Sequence, residues 1–442
     1  MGCYSHKQFL EEFELSLDAE FEWDGVAAEW APGKEGPRSW GEEDACIEPD
    51  RPVQADTEAR RGHIEMASAA ALSPDGRLFA VSSNKIIEIY DTDDLSRRAT
   101  LIGHDSNVCN LYFMNDKGTA TTAKSATYTL LSQGYEYSDD NGKMHTWRIE
   151  SDGSLSKDLC VSPIPIDKMA DSAPVSHDEK KYLLIEHGET TQHGMRAADE
   201  LPQIVVVDID TGKEQCRLMG HKDAIMWAGW SLDDKIIASA CWDETYRLWD
   251  SETGECRHVI DGTGGQNWAG IFLPDGKHVV LSGGQPVKVG VYDIYTGCEV
   301  ITLNSPAEIR LDHWMRYFTV HPTRNLVVLQ NARTLLAWEP FASPDSQMQQ
   351  IFAMTKDTDP LKNHYGAIFT IKWADEGRKL LAQGSDSTTF VWDMEKGQKW
   401  RFQRPKGREL SIHEGDVFFV RRDGSEWVLS LDQDGKVRCW KL

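Results

Sequence analysis

Residues 221–250 read HKDAIMWAGWSLDDKIIASACWDETYRLWD, and the pattern of this stretch decides the fold. An alternating apolar run over 224–230 is followed by a turn, a second apolar run over 236–241, another turn, and a third run that ends at Trp249. Period-2 patterning bounded by Asp and Ser clusters is typical of strands joined by tight turns. The stretch therefore predicts three consecutive short β-strands.

The same pattern recurs along the chain. The spacing of 28 positions from His221 to Trp249 is found again from His364 to Trp392. Internal repeats of this length indicate a repeat architecture rather than a series of unrelated domains. Ends of third strands can be placed at eight positions, namely Tyr90, Trp147, Val207, Trp249, Tyr292, Trp338, Trp392 and Trp440. Eight ends predict eight units, and the less regular copies leave seven units as an alternative.

A Gly-His pair, Gly220 and His221, opens the reference unit, and Trp249-Asp250 closes it. In these motifs the chain resembles the WD40-repeat family of β-propellers, whose repeats each form one four-stranded blade. The resemblance implies an all-β fold, a WD40-type β-propeller with eight blades or, alternatively, seven. It also implies that an N-terminal strand pairs with the C-terminal blade, and we place that strand at residues 52–61, directly before His63.

The resemblance further implies a hydrogen-bonded set of His, Ser or Thr, Asp and Trp in each regular blade. Blade four supplies His221, Ser239, Asp243 and Trp249. The matching residues elsewhere are His104, Thr122 and Trp147 in blade two, His364, Asp386 and Trp392 in blade seven, and His413, Ser430, Asp434 and Trp440 in blade eight. Buried polar groups that satisfy one another stabilise a fold, so we interpret these sets as structural and not as catalytic.

Blade two is longer than blade four, and two alignments of its second strand are open. The first places the strand at 119–124, where Thr122 supplies the hydroxyl, and leaves 125–140 as an insertion before the third strand. The second places the strand at 128–133. We favour the first alignment. Blade three carries extra residues between its second and third strands, so the two blades together predict a raised rim at the end of the sheets that carries the Gly-His pairs.

Exposed aromatic residues and Arg are typical of protein-binding surfaces. The candidates for partner binding are Tyr128, Tyr135 and Tyr137 on the insertion of blade two, and Trp227, Trp268, Trp314 and Arg316 at first strands. For the first-strand residues, packing between blades is an equally good interpretation, because those strands also supply core side chains.

The motifs give no indication of a catalytic, cofactor or metal site. His187 and His193, with Glu189 and His177 nearby, match none of the usual zinc spacings. The glycine-rich segment 262–270 precedes a predicted strand, so it lacks the helix N-terminus of a phosphate-binding loop. A GxSxG nucleophile motif is absent from the sequence.

The net charge, the cysteines and the lack of long apolar segments argue against several classes of protein. The net charge of −24 argues against a general nucleic-acid binder, which needs a basic surface. The nine cysteines are scattered without a CxxC pair, which favours reduced thiols in the cytoplasm or nucleus. Neither a secretory segment nor a membrane span is predicted. Gly2 and Cys3 could accept acyl chains, but the sixth position, where the acylation pattern has Ser or Thr, is His6.

The sequence divides into an N-terminal arm, 1–51, and a propeller, 52–442. The first 62 residues contain sixteen Asp and Glu against six Lys and Arg, so this part is more acidic than the rest. Five apolar residues fit one face of a helix, namely Phe9, Leu10, Phe13, Leu17 and Phe21. Three alternatives stay open for the arm: packing on the propeller, binding a partner, or disorder.

These observations predict a non-enzymatic scaffold or adaptor that binds a protein or peptide on the end of the propeller with the Gly-His pairs. The alternative is an enzyme or small-molecule binder that uses the mouth of the central channel. A WD40-like fold serves many pathways, so it does not name the partner.

Overall fold

The computed structural model of the 442-residue chain describes most of the part that follows residue 68 and four short strands before it. The described residues are 22–23, 26–27, 29–30, 43–47 and 69–442, with the exception of 84, 105–106, 115–126, 136–141, 155–159, 167–174, 187–200, 262, 304–310, 312–314, 316, 332–333, 344–347, 354–367, 385–388, 403–414, 423 and 432–436. The chain divides into two compact units, the first formed by Met1–Glu29, Ile166–Leu380 and Asp393–Gly397, the second by Trp30–Pro165, Leu381–Trp392 and Gln398–Leu442.

The first unit contains blades three to six, each an antiparallel sheet of consecutive strands. Blade three consists of Lys181–Glu186, Gln203–Asp208 and Glu214–Met219, and blade four of Ile225–Trp230, Ile236–Cys241, Tyr246–Asp250 and Cys256–Ile260. Blade five consists of Asn267–Phe272, His278–Gly283, Lys288–Asp293 and Glu299–Thr302, and blade six of Phe318–Val320, Val327–Asn331, Thr334–Trp338 and Met348–Ala353. A bridge from Val175 to Tyr182 stands where blade three would have its first strand. Glu22–Trp23 and Val26–Ala27 form a separate two-stranded ladder.

The second unit contains blades one, two and eight. Blade one consists of Ala70–Leu72, Leu78–Ser83, Ile86–Asp91 and Arg97–Ile102, and blade two of Asn107–Phe113, Tyr128–Tyr135, Gly142–Ile149 and Cys160–Ile166. Blade eight consists of Asp416–Arg422, Ser425–Leu431, Val437–Lys441 and, as its fourth strand, Glu43–Ile47.

The strands that remain form the sheet of blade seven: Ile368–Ala374, Lys379–Gly384, Thr389–Asp393 and Gln398–Phe402, followed by Glu29–Trp30 as a fifth strand. Its first turn is a short 3-10 segment, Asp375–Gly377. With this sheet the described chain has eight blade-like antiparallel sheets, which is the arrangement of a WD40-type β-propeller with eight blades.

The fourth strand of blade eight comes from the N-terminal part of the chain, as predicted, but from a different segment. Val437 pairs with Ile47, and Cys439 pairs with Ala45. The placement at 52–61 was therefore wrong, and residues 52–61 themselves lie outside the described part. The error arose because we assumed a short connection before His63, whereas no hydrogen-bond pattern fixes the length of a connection between blades. The strand covers an edge that would otherwise be open to other chains.

Blade two follows the alignment that we did not favour. Its second strand is Tyr128–Tyr135, so the extra residues precede that strand. Thr122 lies outside the described residues, and the described second strand begins at Tyr128. The expected raised rim of blades two and three was accordingly wrong for blade two, because its longer connection joins the first and second strands, at the end of the sheet opposite to the Gly-His pair.

The turns between first and second strands repeat one hydrogen-bond pattern. In blade four, Ser231 Oγ donates to Asp233 Oδ1 at 2.8 Å and accepts from Ile236 N at 2.9 Å. The same Ser-x-Asp arrangement begins at Ser73 in blade one and at Ser176 in blade three. Because Ser and Asp satisfy the backbone locally, they favour a tight turn at these points.

Buried aromatic and aliphatic side chains fill the space between neighbouring blades. Within the first unit, Trp227 of blade four packs in a cluster with Val279, Leu281 and Tyr292 of blade five. A Cβ added at Gly270 of blade five would lie 2.6 Å from the Trp227 ring, so the glycine makes room for the indole. This packing explains why so large a side chain is only 7% exposed.

Candidate functional site

The four polar residues of blade four form one continuous hydrogen-bonded chain. Trp249 Nε1 donates to Ser239 Oγ at 2.9 Å, and His221 Nε2 lies 2.8 Å from the same oxygen. His221 Nδ1 lies 3.0 Å from Asp243 Oδ2. His221, Ser239 and Trp249 are fully buried, so this chain of bonds anchors the turn that contains Asp243 to the interior of the sheet.

The donors in this chain fix the state of the histidine. Trp249 has only a donor to offer, so the Ser239 hydroxyl is free to donate to His221 Nε2, and Nδ1–H then donates to the Asp243 carboxylate. Burial lowers the pKa of His221, although the bond to Asp243 opposes this shift. Burial alone would raise the pKa of Asp243, but hydrogen bonds from His221 and Thr245 outweigh it and hold the pKa below its usual range. The set is therefore a neutral imidazole beside a carboxylate.

Acidification is expected to weaken this part of the fold. Folding lowers the pKa of His221 from the ordinary histidine value of 6.5. Its contribution to the free energy of unfolding is therefore complete above pH 6.5 and is lost as the pH falls below that value. Asp243 adds a second loss below its ordinary value of 3.8. We predict that the urea midpoint falls between pH 7.5 and pH 5.5, and that the fall is smaller in a His221→Gln variant.

A matched exchange, His258→Gln on the fourth strand of the same blade, controls for removal of a histidine from the sheet. This variant should keep the wild-type pH dependence. If His221→Gln and wild type show parallel curves of midpoint against pH, the buried imidazole is not the group that carries the acid sensitivity.

Two other blades contain parts of the same set. In blade two, His104 Nε2 lies 2.7 Å from Ser132 Oγ, and Trp147 Nε1 donates to that oxygen at 2.7 Å. Ser132 therefore has the place that we predicted for Thr122. In blade eight, Trp440 Nε1 donates to Ser430 Oγ at 2.9 Å. Trp392 of blade seven is buried and stacks on Phe390, with ring centroids 5.8 Å apart. His364, Asp386, His413 and Asp434 lie outside the described residues.

Gly220 permits an arginine to approach the start of the blade. Its φ is +142°, and an added Cβ would lie 2.4 Å from Arg247 Nη1. The Arg247 guanidinium lies over the Trp249 ring, 5.6 Å from its centroid. The glycine of the Gly-His pair therefore brings its loop against a cation that also covers the buried tryptophan.

The anchored turn presents Trp242, which directly precedes Asp243. This side chain is partly exposed, and its ring meets the ring of Trp268 edge to face, with centroids 5.2 Å apart. Trp268 is the extra residue of a bulge, since Asn267 pairs with Gly283 and Ala269 with Ser282. Bulges re-aim side chains, and this one lies at the end of the first strand of blade five that faces the turn of blade four. Thr263 Oγ1 donates to Glu244 O at 3.0 Å and links the two loops further.

Asn267 lies beside this aromatic pair and has an uncommon environment. It is fully buried, and neither its Oδ1 nor its Nδ2 has a hydrogen-bond partner among the described residues. A Cβ on Gly283, its cross-strand partner, would lie 2.2 Å from Asn267 Oδ1. The position that corresponds to Asn267 in blade four holds Ile225, whose partner is Cys241. Blade five thus places an amide where its neighbour has an aliphatic side chain.

The predicted partner-binding residues have different environments from those expected. Trp227 and Trp268 are each 7% exposed, and Tyr128 is 6% exposed and donates to Asp75 Oδ2 at 2.6 Å. Tyr128 is thus a buried strand residue that bridges blades one and two, not a residue of an exposed insertion. Tyr135 ends the same strand, and its side chain is not among those described. Tyr137, Trp314 and Arg316 lie outside the described residues.

Trp242 was not among the site residues predicted from the sequence. A signal was available, because a large aromatic residue in a turn, next to an Asp that the buried set holds in place, has no core position to fill. Tryptophans of strands, such as Trp227 and Trp268, are instead used by the core.

Three groups in this region could in principle ligate a metal, but hydrogen bonds already occupy them. His221, Cys241 and Asp243 have ligand atoms within 4.8 Å of one another. Both imidazole nitrogens bond to Ser239 and Asp243, and Cys241 Sγ lies 3.0 Å from Asp223 O. Burial raises the pKa of the Cys241 thiol, which disfavours the thiolate that a metal needs. The hydrogen-bonded set accounts for these residues without an ion.

Comparison with known proteins identifies the repeat. Residues 212–250, which include the whole hydrogen-bonded set of blade four, match the family described as WD domain, G-beta repeat. The chain thus carries a WD40 repeat at these residues. The described part of the chain contains no helix with the length and apolarity that a membrane span requires.

Curated relatives match only part of the chain. The WD repeat-containing protein ATCSA-1 of Arabidopsis thaliana is 24% identical over 48% of this chain and 44% of its own length. The small ribosomal subunit protein RACK1 of Schizosaccharomyces pombe is 45% identical over 12% of this chain and 16% of its own. The chain thus spans less than two thirds of either relative.

Solved structures agree with the fold of this chain over a longer stretch. Sqt1 of Chaetomium thermophilum, bound to the N-terminus of the ribosomal protein L10, superposes with a TM-score of 0.61 at 14% identity and covers 86% of this chain and 98% of its own. A computationally designed protein, Ika8, superposes with a TM-score of 0.56 at 18% identity, with the same coverage. At these identities the likeness shows the fold alone.

Proposed function

We propose that this chain is a non-enzymatic interaction scaffold that binds a protein or peptide segment at the Gly-His end of blades four and five. The observation that carries the proposal is the Trp242–Trp268 pair. A partly exposed indole lies in a turn that is anchored through Asp243 to three fully buried residues, and such preorganised aromatic anchors are typical of binding hot spots.

The relatives support the same class of function. Sqt1 has been captured with the N-terminus of a ribosomal protein, so a fold of this type can hold a peptide segment. The net charge of −24 disfavours direct binding to nucleic acid and favours a partner that is not itself acidic. We place the protein in the cytoplasm or nucleus because its nine cysteines are scattered along the sequence without a CxxC pair.

The alternative of an enzyme or small-molecule binder gains no support from the described residues. The titratable groups that come together at this end, His221, Cys241 and Asp243, are engaged in hydrogen bonds that hold the turn. A catalytic site needs groups that are available to a substrate. The acidic arm, 1–51, and its boundary with the propeller remain proposals, and so does acylation at Gly2 or Cys3, which the mass of the mature N-terminal peptide would test.

The scaffold proposal predicts that Trp242→Ala removes bound proteins. The exchange takes away an aromatic anchor, and truncation of such a residue typically weakens binding by about 2 kcal/mol, roughly thirtyfold. The measurement is affinity purification of tagged wild type and variant from cell extract, followed by quantitative mass spectrometry. Thermal unfolding of each purified variant checks that the fold is retained.

Tyr295→Ala is the control. Tyr295 is 49% exposed and lies in the turn after the third strand of blade five, at the opposite end of the sheet. This variant should retain the wild-type set of bound proteins. Equal recovery from Trp242→Ala and wild type, or loss from Tyr295→Ala instead, would refute binding at the Gly-His end.

A further inference from the structure

We propose that the segment bound at this site is cationic, and that an Arg or Lys side chain of the partner lies against the Trp242 ring. This inference rests on the proposed function and specifies the chemistry of the partner. Three observations lead to it: the charge of the loops around Trp242, the partial exposure of the Trp242 side chain, and the buried amide of Asn267.

The loops at this end of blades four and five are acidic. Asp223, Glu244 and Asp261 are exposed, and Asp243 is partly buried. Lys222 is the one Lys or Arg among the described residues of segments 220–224, 242–245, 261–266 and 284–287. Four carboxylates against the Lys222 ammonium and the Arg247 guanidinium, which lies at Gly220, leave a net negative charge around Trp242. This charge attracts a cation and repels an acidic segment.

The indole supplies a surface suited to the same charge. The face of a tryptophan ring carries negative potential and attracts a guanidinium or ammonium group. The edge-to-face contact with Trp268 and the anchored turn hold the Trp242 ring in place. The bond from Thr263 Oγ1 to Glu244 O keeps the carboxylate-bearing turn next to the loop of blade five. A cationic side chain could therefore meet the ring and the carboxylates together.

Asn267 provides an independent indication of a ligand. Its amide is fully buried, without a hydrogen-bond partner among the described residues, at the loop end of the strand that carries Trp268. Leaving such a group unpaired is unfavourable, and the corresponding residue of blade four, Ile225, shows that an apolar side chain fits there. The carboxamide offers N–H donors and an acceptor oxygen, which complement the C=O and N–H groups of the main chain of a bound peptide.

Binding of a simple cationic peptide tests the inference. The probe is a fluorescein-labelled peptide that alternates Arg with Gly, compared with the same peptide in which citrulline replaces every Arg. Citrulline keeps the shape of the side chain and removes its charge. Fluorescence anisotropy at physiological salt should show binding of the Arg peptide, with a loss on the order of tenfold in affinity for the citrulline peptide and for the Trp242→Leu variant.

A charge-matched pair of variants separates a local site from general attraction to an acidic protein. Glu244→Gln removes a carboxylate beside Trp242, and Glu252→Gln removes an exposed carboxylate at the opposite end of the same blade. Both change the net charge equally. Glu244→Gln should weaken binding of the Arg peptide by roughly threefold or more, whereas Glu252→Gln should leave it unchanged because the distance exceeds the screening length of about 8 Å. Equal effects of the two variants would overturn the inference.

Asn267→Leu provides a test of the amide. If the amide serves the ligand, this exchange raises the thermal midpoint of the free protein and weakens binding of the Arg peptide. Unchanged affinity in a folded Asn267→Leu variant would remove the amide from the site.

The two proposals can fail separately. If Trp242→Ala loses its cellular partners while the Arg and citrulline peptides bind alike, the scaffold proposal stands and the cationic inference fails. If exchange of Trp242 changes neither the bound partners nor the binding of the Arg peptide, both fail.

Discussion

Replacement of Ser239 by alanine is expected to lower the free energy of unfolding by about 2–4 kcal/mol, because each buried polar group left unpaired costs about 1–3 kcal/mol. The hydroxyl serves two neighbours at once: it accepts from Trp249 Nε1 at 2.9 Å and lies 2.8 Å from His221 Nε2. All three side chains are fully buried, so water cannot replace the missing oxygen without opening the blade. The alanine variant lacks only this oxygen, but it leaves both Trp249 Nε1 and His221 Nε2 without their hydrogen-bond partner.

Urea unfolding followed by tryptophan fluorescence measures the effect, and Ser282→Ala in blade five is the matched control. Ser282 is also buried, but its hydroxyl lies near two main-chain carbonyls, Met315 O at 3.0 Å and Ala269 O at 3.4 Å. Removal of this hydroxyl leaves no side-chain donor without a partner, so the free energy of unfolding of the control should fall by only about 1 kcal/mol. A Ser239→Ala variant no less stable than Ser282→Ala would show that the hydrogen-bonded chain contributes little.

The sequence predicted those parts of the fold in which a residue interacts with others of the same repeat, and failed where the partner is distant in the chain. The set of blade four was predictable because its four members lie at fixed spacing within one repeat, and the turns were predictable from Ser and Asp. In blade two the same reasoning chose Thr122 and missed Ser132, because a hydroxyl at either place satisfies the pattern and only strand pairing decides between them. The closing strand at Glu43–Ile47 pairs with the last strand in the chain, and pairing so distant leaves no local signal.

The candidate site was harder to predict than the fold. Whether Trp227 or Trp242 faces solvent depends on the neighbouring blade: glycines at 229 and 270 make a pocket for the first, and the turn of blade four exposes the second. Composition showed that tryptophans are abundant, yet it could not assign them to core or surface. Asn267 carried no motif at all, and only its burial without a partner sets it apart.

Replacement of Gly220 by alanine is the second large effect that we expect, a loss of about 3 kcal/mol. At φ +142° an L-residue is strained whatever the space around it, and here the new Cβ would also lie 2.4 Å from Arg247 Nη1. The loop has to shift or the guanidinium has to leave the Trp249 ring. Either movement disturbs His221, which follows directly in the chain and bonds to Ser239 and Asp243.

Two other glycines and one double variant separate the causes of that loss. Gly276 has a φ of +70° with open space around it, so Gly276→Ala should cost about 1 kcal/mol from the backbone alone. Gly103 opens the Gly-His pair of blade two without a positive φ, and its added Cβ would lie 3.2 Å from Trp147, so Gly103→Ala should be milder than Gly220→Ala. In Gly220→Ala with Arg247→Ala, removal of the guanidinium relieves the contact but not the strain. We therefore expect Gly220→Ala to cost less stability in the Arg247→Ala background than in the wild type. If the losses of the two exchanges simply add, the glycine and the arginine do not act on each other.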